Sequence, residues 1–310
     1  MGSSSAPLNL TLKQLEAFYW AATLGTFAIA AERLYVTQSS LSKRIAELEM
    51  GLGQALFDRT GQRAVLSLAG QALLPQALRM LELEQSIRQG LDLDHAIGGP
   101  CRFGISELSA TTWFPFFFER MAREHPPLKL KPQVGLSKHL ERLVERGELD
   151  FAVITGTLSS AALDCLPVEQ LEFTWMAAPS RLPKGTVLNA SLFDEHPVLA
   201  STGDSGLTGA LQSWAAANSI QLREVMACNS ITAILSMTVA GVGISFLPAN
   251  YVAPLVKRQL LVELCSEAPV PRLNYYFIWR RDDKRHLVSI MRKIVAEEAD
   301  FHAPNQLWAP

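Results

Sequence analysis

Three threonines, Thr11, Thr26 and Thr37, each stand directly before an apolar run of helical period, and this punctuation commits the start of the chain to short packed helices. Thr11 followed by Gln14 is a capping box, Leu12, Leu15, Phe18 and Ala22 fall at helical spacing, and Gly25 is placed as the stop, so a first helix is expected from Leu12 to Leu24. Thr26 opens a second helix with Phe27, Ala30, Ala31 and Leu34 on one face, where the alanine pair lets another helix approach closely. Tyr35 and Val36 make a short turn. Thr37 then caps a third helix, Gln38 to about Met50, whose Leu41, Ile45 and Leu48 face inward.

Two short helices joined by a three-residue turn match the plan in which the second helix enters the DNA major groove. Its exposed start carries Gln38, Ser39, Ser42 and Lys43. Gln can pair with adenine through two bonds, Ser is adaptable, and Lys reaches guanine acceptors or a phosphate. Thr26, Thr37 and Arg44 are candidates for the phosphate backbone. Downstream, Asp58 to Arg63 followed by the β-prone Ala64, Val65 and Leu66 reads as a hairpin or wing with Gly61 at its tip, from which Arg59 and Arg63 could reach phosphates or the minor groove. An ordinary helical domain with a solvated face would account for the charges, but not for uncharged Gln and Ser gathered at a helix N-terminus.

Charge narrows the class further. Residues 1–66 hold six Lys and Arg against five Asp and Glu, and the whole chain holds 28 against 30, a net charge of -2. A protein that coats DNA by charge alone is excluded, so useful affinity requires dimerisation and specific contacts.

At this point the sequence resembles the LysR-type transcriptional regulators. The resemblance is carried by Leu15 and Phe18, by Gly25-Thr26-Phe27 with Ala30-Ala31-Glu32-Arg33-Leu34, by Val36-Thr37-Gln38-Ser39-Ser40-Leu41-Ser42 with Ile45 and Leu48-Glu49, by Leu52-Gly53 with Leu56-Phe57-Asp58-Arg59, and by Leu66-Ser67-Leu68-Ala69-Gly70. Ser39 stands where proline is frequent in that family, and Ser67 where threonine is usual. A weaker continuation runs through Gly135-Leu136-Ser137, Gly147-Glu148-Leu149-Asp150-Phe151-Ala152-Val153 and Gly241-Val242-Gly243-Ile244-Ser245-Phe246-Leu247-Pro248.

The resemblance implies an all-α winged helix-turn-helix domain at residues 1–66, a linker helix at 67–97, and an α/β effector domain at 98–310 with a two-lobed periplasmic-binding-protein-like fold. Lobe I is expected at about 98–168 and 271–305 and lobe II at about 169–270. Double-stranded DNA with interrupted two-fold symmetry is the implied partner of a homodimer or tetramer, with RNA polymerase as a further contact. The linker region, Ser67 to about His95, carries Leu74, Leu78, Leu81, Ile87 and Leu91 within a wide apolar stripe beside Leu73, Ala77 and Met80. That stripe packs either onto its own domain or, as the resemblance implies, onto a second subunit. Pro75 removes one helical hydrogen bond.

Beyond the Gly98-Gly99-Pro100 hinge, strands and helices alternate as in a parallel sheet: strands at Cys101 to Ile105, Leu128 to Val134, Phe151 to Ile154, Leu171 to Ala177, Val198 to Ser201, Val242 to Leu247 and Tyr275 to Trp279, with helices at Thr111 to Glu124, Ser137 to Arg146, Leu207 to Ala217, Ile231 to Ala240 and His286 to Ala299. Ligands of such sheets bind beyond the carboxyl ends of strands. Ser106, Glu107, Ser109, Ser137, Thr155 and Gly156 meet that description in the first lobe, and Ser201, Thr202, Ser230 and Phe246 in the second. The serines and threonines are equally ordinary helix caps. Glu107 puts a carboxylate at the cleft, disfavouring an anionic effector, or simply faces water.

No catalytic or metal motif is present. The six histidines form no H-x-x-x-H or H-E-x-x-H pattern, and G-x-S-x-G, Walker A and G-x-G-x-x-G are missing, so neither an enzyme nor a cofactor beyond a small-molecule effector is expected. The alternative is a small-molecule binding protein or enzyme carrying an incidental helical domain. Cys101, Cys165, Cys228 and Cys265 lack C-x-x-C spacing and read as core residues of a reducing compartment. Met1 to Pro7 hold no secretory signal, so the cytoplasm is the expected location. Ile231 to Val256 carries no charge and could span a bilayer by length, but Gly241, Gly243, Pro248 and Pro254 cut it into a helix and a buried strand.

Overall fold

The structure, a computed structural model, describes residues 10–58, 64–90, 98–222, 225–303 and 305. Helix α1 (Leu12–Leu24) opens on the complete capping box, with Thr11 and Gln14 each accepting from the other's backbone amide, and closes on Gly25 at φ 70°. Thr26 and Thr37 cap α2 (Phe27–Arg33) and α3 (Gln38–Leu52), accepting from the Ile29 and Ser40 amides. The turn between them passes through Tyr35 at φ 54°. Strand β1 (Phe57–Asp58) pairs antiparallel with β2 (Val65–Leu66). The wing tip, with Arg59, Gly61 and Arg63, lies outside the described residues.

One apolar core unites these elements: Leu15, Phe18 and Trp20 from α1 meet Ala30 and Ala31 from α2 and Leu41 and Ile45 from α3. Glu49 is buried on α3, where its Oε1 accepts from the amides of Leu56 (2.8 Å) and Phe57 (3.3 Å) and so ties this helix to the wing. Arg33 is buried as well, its guanidinium 4.7 Å from the centre of the Trp20 ring.

Helix α4 (Leu68–Gly90) starts where the Ser67 hydroxyl accepts from the Gly70 amide at 3.1 Å, and it carries Pro75 within it. Its apolar stripe divides differently from the expectation. Leu74, Leu78 and Leu81 are half-buried against the core of their own domain, together with Leu73 and the buried Ala77. Leu68 is open at the start of the helix, and further along Met80, Leu83 and Ile87 are left open at 44%, 57% and 55% exposure, on one helical face by their spacing. Leu91 and the continuation to His95 lie outside the described residues.

The second unit runs in chain order through β3 (Gly99–Ile105), α5 (Glu107–Thr111), α6 (Phe114–Glu124), β4 (Leu128–Val134), α7 (Ser137–Glu145), β5 (Phe151–Thr155) and β6 (Leu163–Ala177). It continues with α8 (Ala190–Glu195), β7 (Val198–Ser201), α9 (Gly206–Ala217), β8 (Val225–Cys228), α10 (Ile231–Val239) and β9 (Ile244–Pro248). The last elements are α11 (Ala249–Lys257), β10 (Val262–Glu263), β11 (Arg272–Arg280) and α12 (His286–Glu298). The strands order as β4-β3-β5-β11-β6-β9-β7-β8, with β10 added on β6.

This sheet is mixed, where a parallel one is expected. Strands β3, β4 and β5 are parallel, as are β7, β8 and β9, but β11 runs antiparallel to both β5 and β6, and β6 antiparallel to β9. The reason lies in β6, which is longer than its apolar end at Leu171 to Ala177 suggests. Its residues up to Glu172 pair with β11 and those from Phe173 to Met176 with β9, so one strand passes from one half of the sheet to the other. Phe103, Phe151 and Phe277 stack across β3, β5 and β11 at 5.1 and 4.6 Å, and Trp175, Phe193 and Trp214 form the aromatic core of the other half.

The single helix expected from Thr111 to Glu124 is two. Pro115 sits in the first turn of α6, where its missing amide costs nothing, and the chain breaks at Thr112 so that Trp113 enters the core. The strand expected at Val242 starts later, at Ile244, because Gly241 takes φ 75° after α10. Of the four cysteines only Cys101 is a core residue; Cys165 and Cys265 are exposed and Cys228 is half-buried. Among the described residues no helix is long and apolar enough to cross a membrane.

Candidate functional site

The first three turns of α3 form one candidate surface. Gln38, Ser39 and Lys43 are exposed, Ser42 and Arg44 are half-buried, and Leu41, Ile45 and Leu48 are buried in the core. Thr37 does the local work of capping: its Oγ1 accepts from the Ser40 amide at 3.1 Å and lies 2.9 Å from the Ser39 and Ser40 hydroxyls. Lys43 is 4.0 Å from Glu47, one turn on, and 78% exposed, so its ammonium is available to an outside anion. Thr26 is half-buried at the start of α2.

The second candidate is a cavity of about 440 Å³ at the carboxyl ends of the sheet strands. Six of the ten expected residues line it: Ser106, Glu107, Ser137 and Thr155 from the β3 to β5 half, Ser201 and Phe246 from the β7 to β9 half. The polar groups of the first half are held in place by one another. Ser106 caps α5 through the Ser109 amide at 3.1 Å, Ser137 accepts from the Thr155 amide at 3.3 Å, and the Thr155 hydroxyl donates to the Asn274 carbonyl at 3.0 Å. Tyr275 joins them, its hydroxyl bonded to Ser106 and, through burial, pushed up to about 12, so it stays a neutral phenol.

Glu107 crosses the cavity. Its Oε2 accepts from the Ile231 amide at 2.7 Å, and its Oε1 from the Ser230 hydroxyl at 3.0 Å and the Thr232 amide at 3.3 Å. The carboxylate thus caps α10, which belongs to the opposite half, where free N–H groups and the helix dipole favour negative charge.

The remaining four expected residues do not reach the cavity wall. Ser109 is fully buried and bonded to Ser106, and Ser230 spends its hydroxyl on capping α10 and on Glu107. The Thr202 carbonyl accepts from Thr208. Gly156, at φ 104°, has a steric role: a Cβ there would lie 2.8 Å from the Cα of Gly206. Sequence reasoning missed Asn229, Asp204, Thr208 and His139, all on the lining. Asn229 follows β8, a strand whose Val225 and Met226 are exposed and whose pattern gave no signal. No group of three His, Cys, Asp or Glu side chains able to hold a metal occurs among the described residues.

A helix-turn-helix head with a polar recognition face, followed by an α/β unit with a ligand-sized cavity at its strand ends, defines a ligand-responsive DNA-binding protein. Residues 95–300 match the LysR substrate binding domain and residues 12–71 the bacterial regulatory helix-turn-helix protein of the lysR family, so the chain belongs to the LysR family of transcriptional regulators. It is 28% identical over 274 residues to a probable RuBisCO transcriptional regulator of Cyanidioschyzon merolae, covering 84% of this chain and 89% of that one. It is 27% identical to the HTH-type transcriptional regulator YofA of Bacillus velezensis, covering 86% and 91%. Among solved structures, ArgP from Mycobacterium tuberculosis matches with a TM-score of 0.62 at 24% identity, covering 96% of this chain and 100% of that one. Full-length LysG from Corynebacterium glutamicum, solved with its effector arginine, matches with a TM-score of 0.57 at 22% identity, covering 94% and 98%. These two share the fold. The chain is a LysR-type transcriptional regulator with a DNA-binding head and an effector-binding domain.

Proposed function

We propose that Gln38 and Ser42 read bases, that Thr26, Thr37, Ser39, Lys43 and Arg44 contact or position the DNA backbone, and that a small molecule in the cavity between the two sheet halves controls the protein. The observation that carries the effector reading is the cavity itself, lined from both halves at strand ends and within the volume range of small-molecule sites. A ligand touching both halves favours one closure angle and shifts the arrangement of the heads in a dimer or tetramer built on α4. Such coupling needs only about 1 to 3 kcal/mol to change transcription severalfold. The protein acts in the cytoplasm and performs no catalysis.

Footprinting with the full chain locates the operator, and mobility shifts then compare it with random DNA. Gln38→Ala or Ser42→Ala is expected to cost about 1 to 3 kcal/mol on the operator and little on random DNA. Equal losses on both would refute direct readout.

A further inference from the structure

The charges around the cavity bear on what it can hold. Glu107 and Asp204 both line it, and no Lys or Arg does among the described residues. The donors that would receive an anionic ligand at the start of α10 are already spent: the Ile231 and Thr232 amides go to Glu107 and the Ala233 amide to the Ser230 hydroxyl. At the start of α9, Ser205 likewise takes the Leu207 amide at 3.3 Å. A carboxylate or phosphate entering here would be stripped of water beside a fixed carboxylate, with no Lys or Arg on the lining and only the exposed His139 imidazole to meet it.

A cationic ligand fares little better. Three donors occupy the Glu107 oxygens, and Asp204 has Arg142 at 3.7 Å. Much of the remaining wall is apolar, with Leu108, Phe173, Leu199, Leu207 and Ile234 in it, and the hydroxyls of Ser106 and Thr155 are already bonded within the protein, so an ammonium would lose its hydration largely to hydrocarbon. Polar capacity remains at Ser201 and Asn229, whose side chains carry no hydrogen bond from the described residues.

We infer that the effector of this protein is an uncharged, largely apolar small molecule with one or two hydrogen-bonding groups, and that Glu107, by serving as the resident anion at the start of α10, is the residue that excludes carboxylate and phosphate ligands. The inference rests on the cavity being the effector site. It deepens that reading by assigning the ligand's charge and the residue that selects it.

A matched set of probes tests it on the full-length protein by titration calorimetry: 4-phenylbutan-1-ol, 4-phenylbutanoate and 4-phenylbutylamine, which share shape and differ in head-group charge. The alcohol is expected to bind at least about tenfold more tightly than either ion. Glu107→Gln is expected to raise the affinity for the butanoate by about tenfold while moving the alcohol by no more than roughly twofold. Ser201→Trp, which fills the cavity, is expected to abolish binding of the alcohol. Tighter or equal binding of the butanoate or the amine to the wild-type chain overturns the ligand class, as does a failure of all three to bind. An unchanged butanoate-to-alcohol ratio in Glu107→Gln overturns the role of Glu107. If the alcohol binds Ser201→Trp as it binds the wild type, the cavity is not the site, and it is the underlying effector reading that falls.

Discussion

Gly206, the first residue of α9, sits where no side chain fits. A Cβ built on it would lie 2.1 Å from the Thr155 carbonyl oxygen and 2.9 Å from the Gly156 Cα, both backbone atoms of the opposite sheet half. Restoring ordinary van der Waals distance requires a shift of at least about 1.3 Å. Strand β5 cannot supply it, since all five of its residues are buried and it is paired on both sides. The two halves must therefore separate or α9 must tilt, and overpacking of this kind costs about 1 to 3 kcal/mol. For a domain of this size that is a fall of roughly 2 to 4 °C in melting temperature per kcal/mol. Gly209 supplies the control, because it lies in the same helix, is exposed, and has nothing within 4 Å of its Cβ position. Gly209→Ala should stabilise by about 0.5 to 1 kcal/mol through backbone entropy alone. Thermal unfolding of the full chain, followed by circular dichroism, should move in opposite directions for Gly206→Ala and Gly209→Ala. If both variants melt above the wild type, the backbone contact between the halves does not constrain the protein.

Three further outcomes are expected. Glu49→Ala strands two buried amides and should destabilise the DNA-binding unit by about 2 to 4 kcal/mol in urea denaturation, with Glu49→Gln, which keeps an acceptor oxygen, losing less; a change within about 0.5 kcal/mol for the alanine variant would show that the wing does not depend on this carboxylate. Leu83→Glu places a charge on the open face of α4 and should produce monomers in sedimentation, whereas an intact oligomer would put the interface elsewhere. His125 and His196 are both held below the usual imidazole range, first by burial and then by Arg120 and Arg181 respectively. Because the unfolded chain takes up protons near pH 6.5 and the folded one resists, their contribution is complete above about pH 6.5 and is lost as the pH falls through the lower folded values. His196→Phe should reduce the loss of stability between neutral pH and about pH 5, and an unchanged slope would count against it.

Local chemistry was readable wherever a residue's role is set by its chain neighbours. Thr11, Thr26 and Thr37 cap helices through amides three residues away, and Gly25 ends α1 through its own φ, so the head was legible without knowledge of any distant contact. The apolar period likewise marked the inward faces of α1 and α3. What the period could not decide is which of two surfaces an apolar face meets: Leu74, Leu78 and Leu81 pack on their own domain, leaving Met80, Leu83 and Ile87 outside, because a helix offers the same stripe to either.

The effector domain divides along the same line. Strand-end serines were found because helix caps recur at strand ends, and most of them do line the cavity. The antiparallel course of β6 and β11 was hidden because strand direction belongs to the pairing, not to any residue. Glu107 could be named as a carboxylate at the cleft, yet its partners are more than a hundred residues away, and only folding brings the start of α10 to within 2.7 Å of it. Gly156 and Gly206 show the limit most directly. Gly156 stood out in sequence only as a strand-end position and Gly206 not at all, and their joint requirement arises from two backbones meeting, a contact that exists only when the chain is folded.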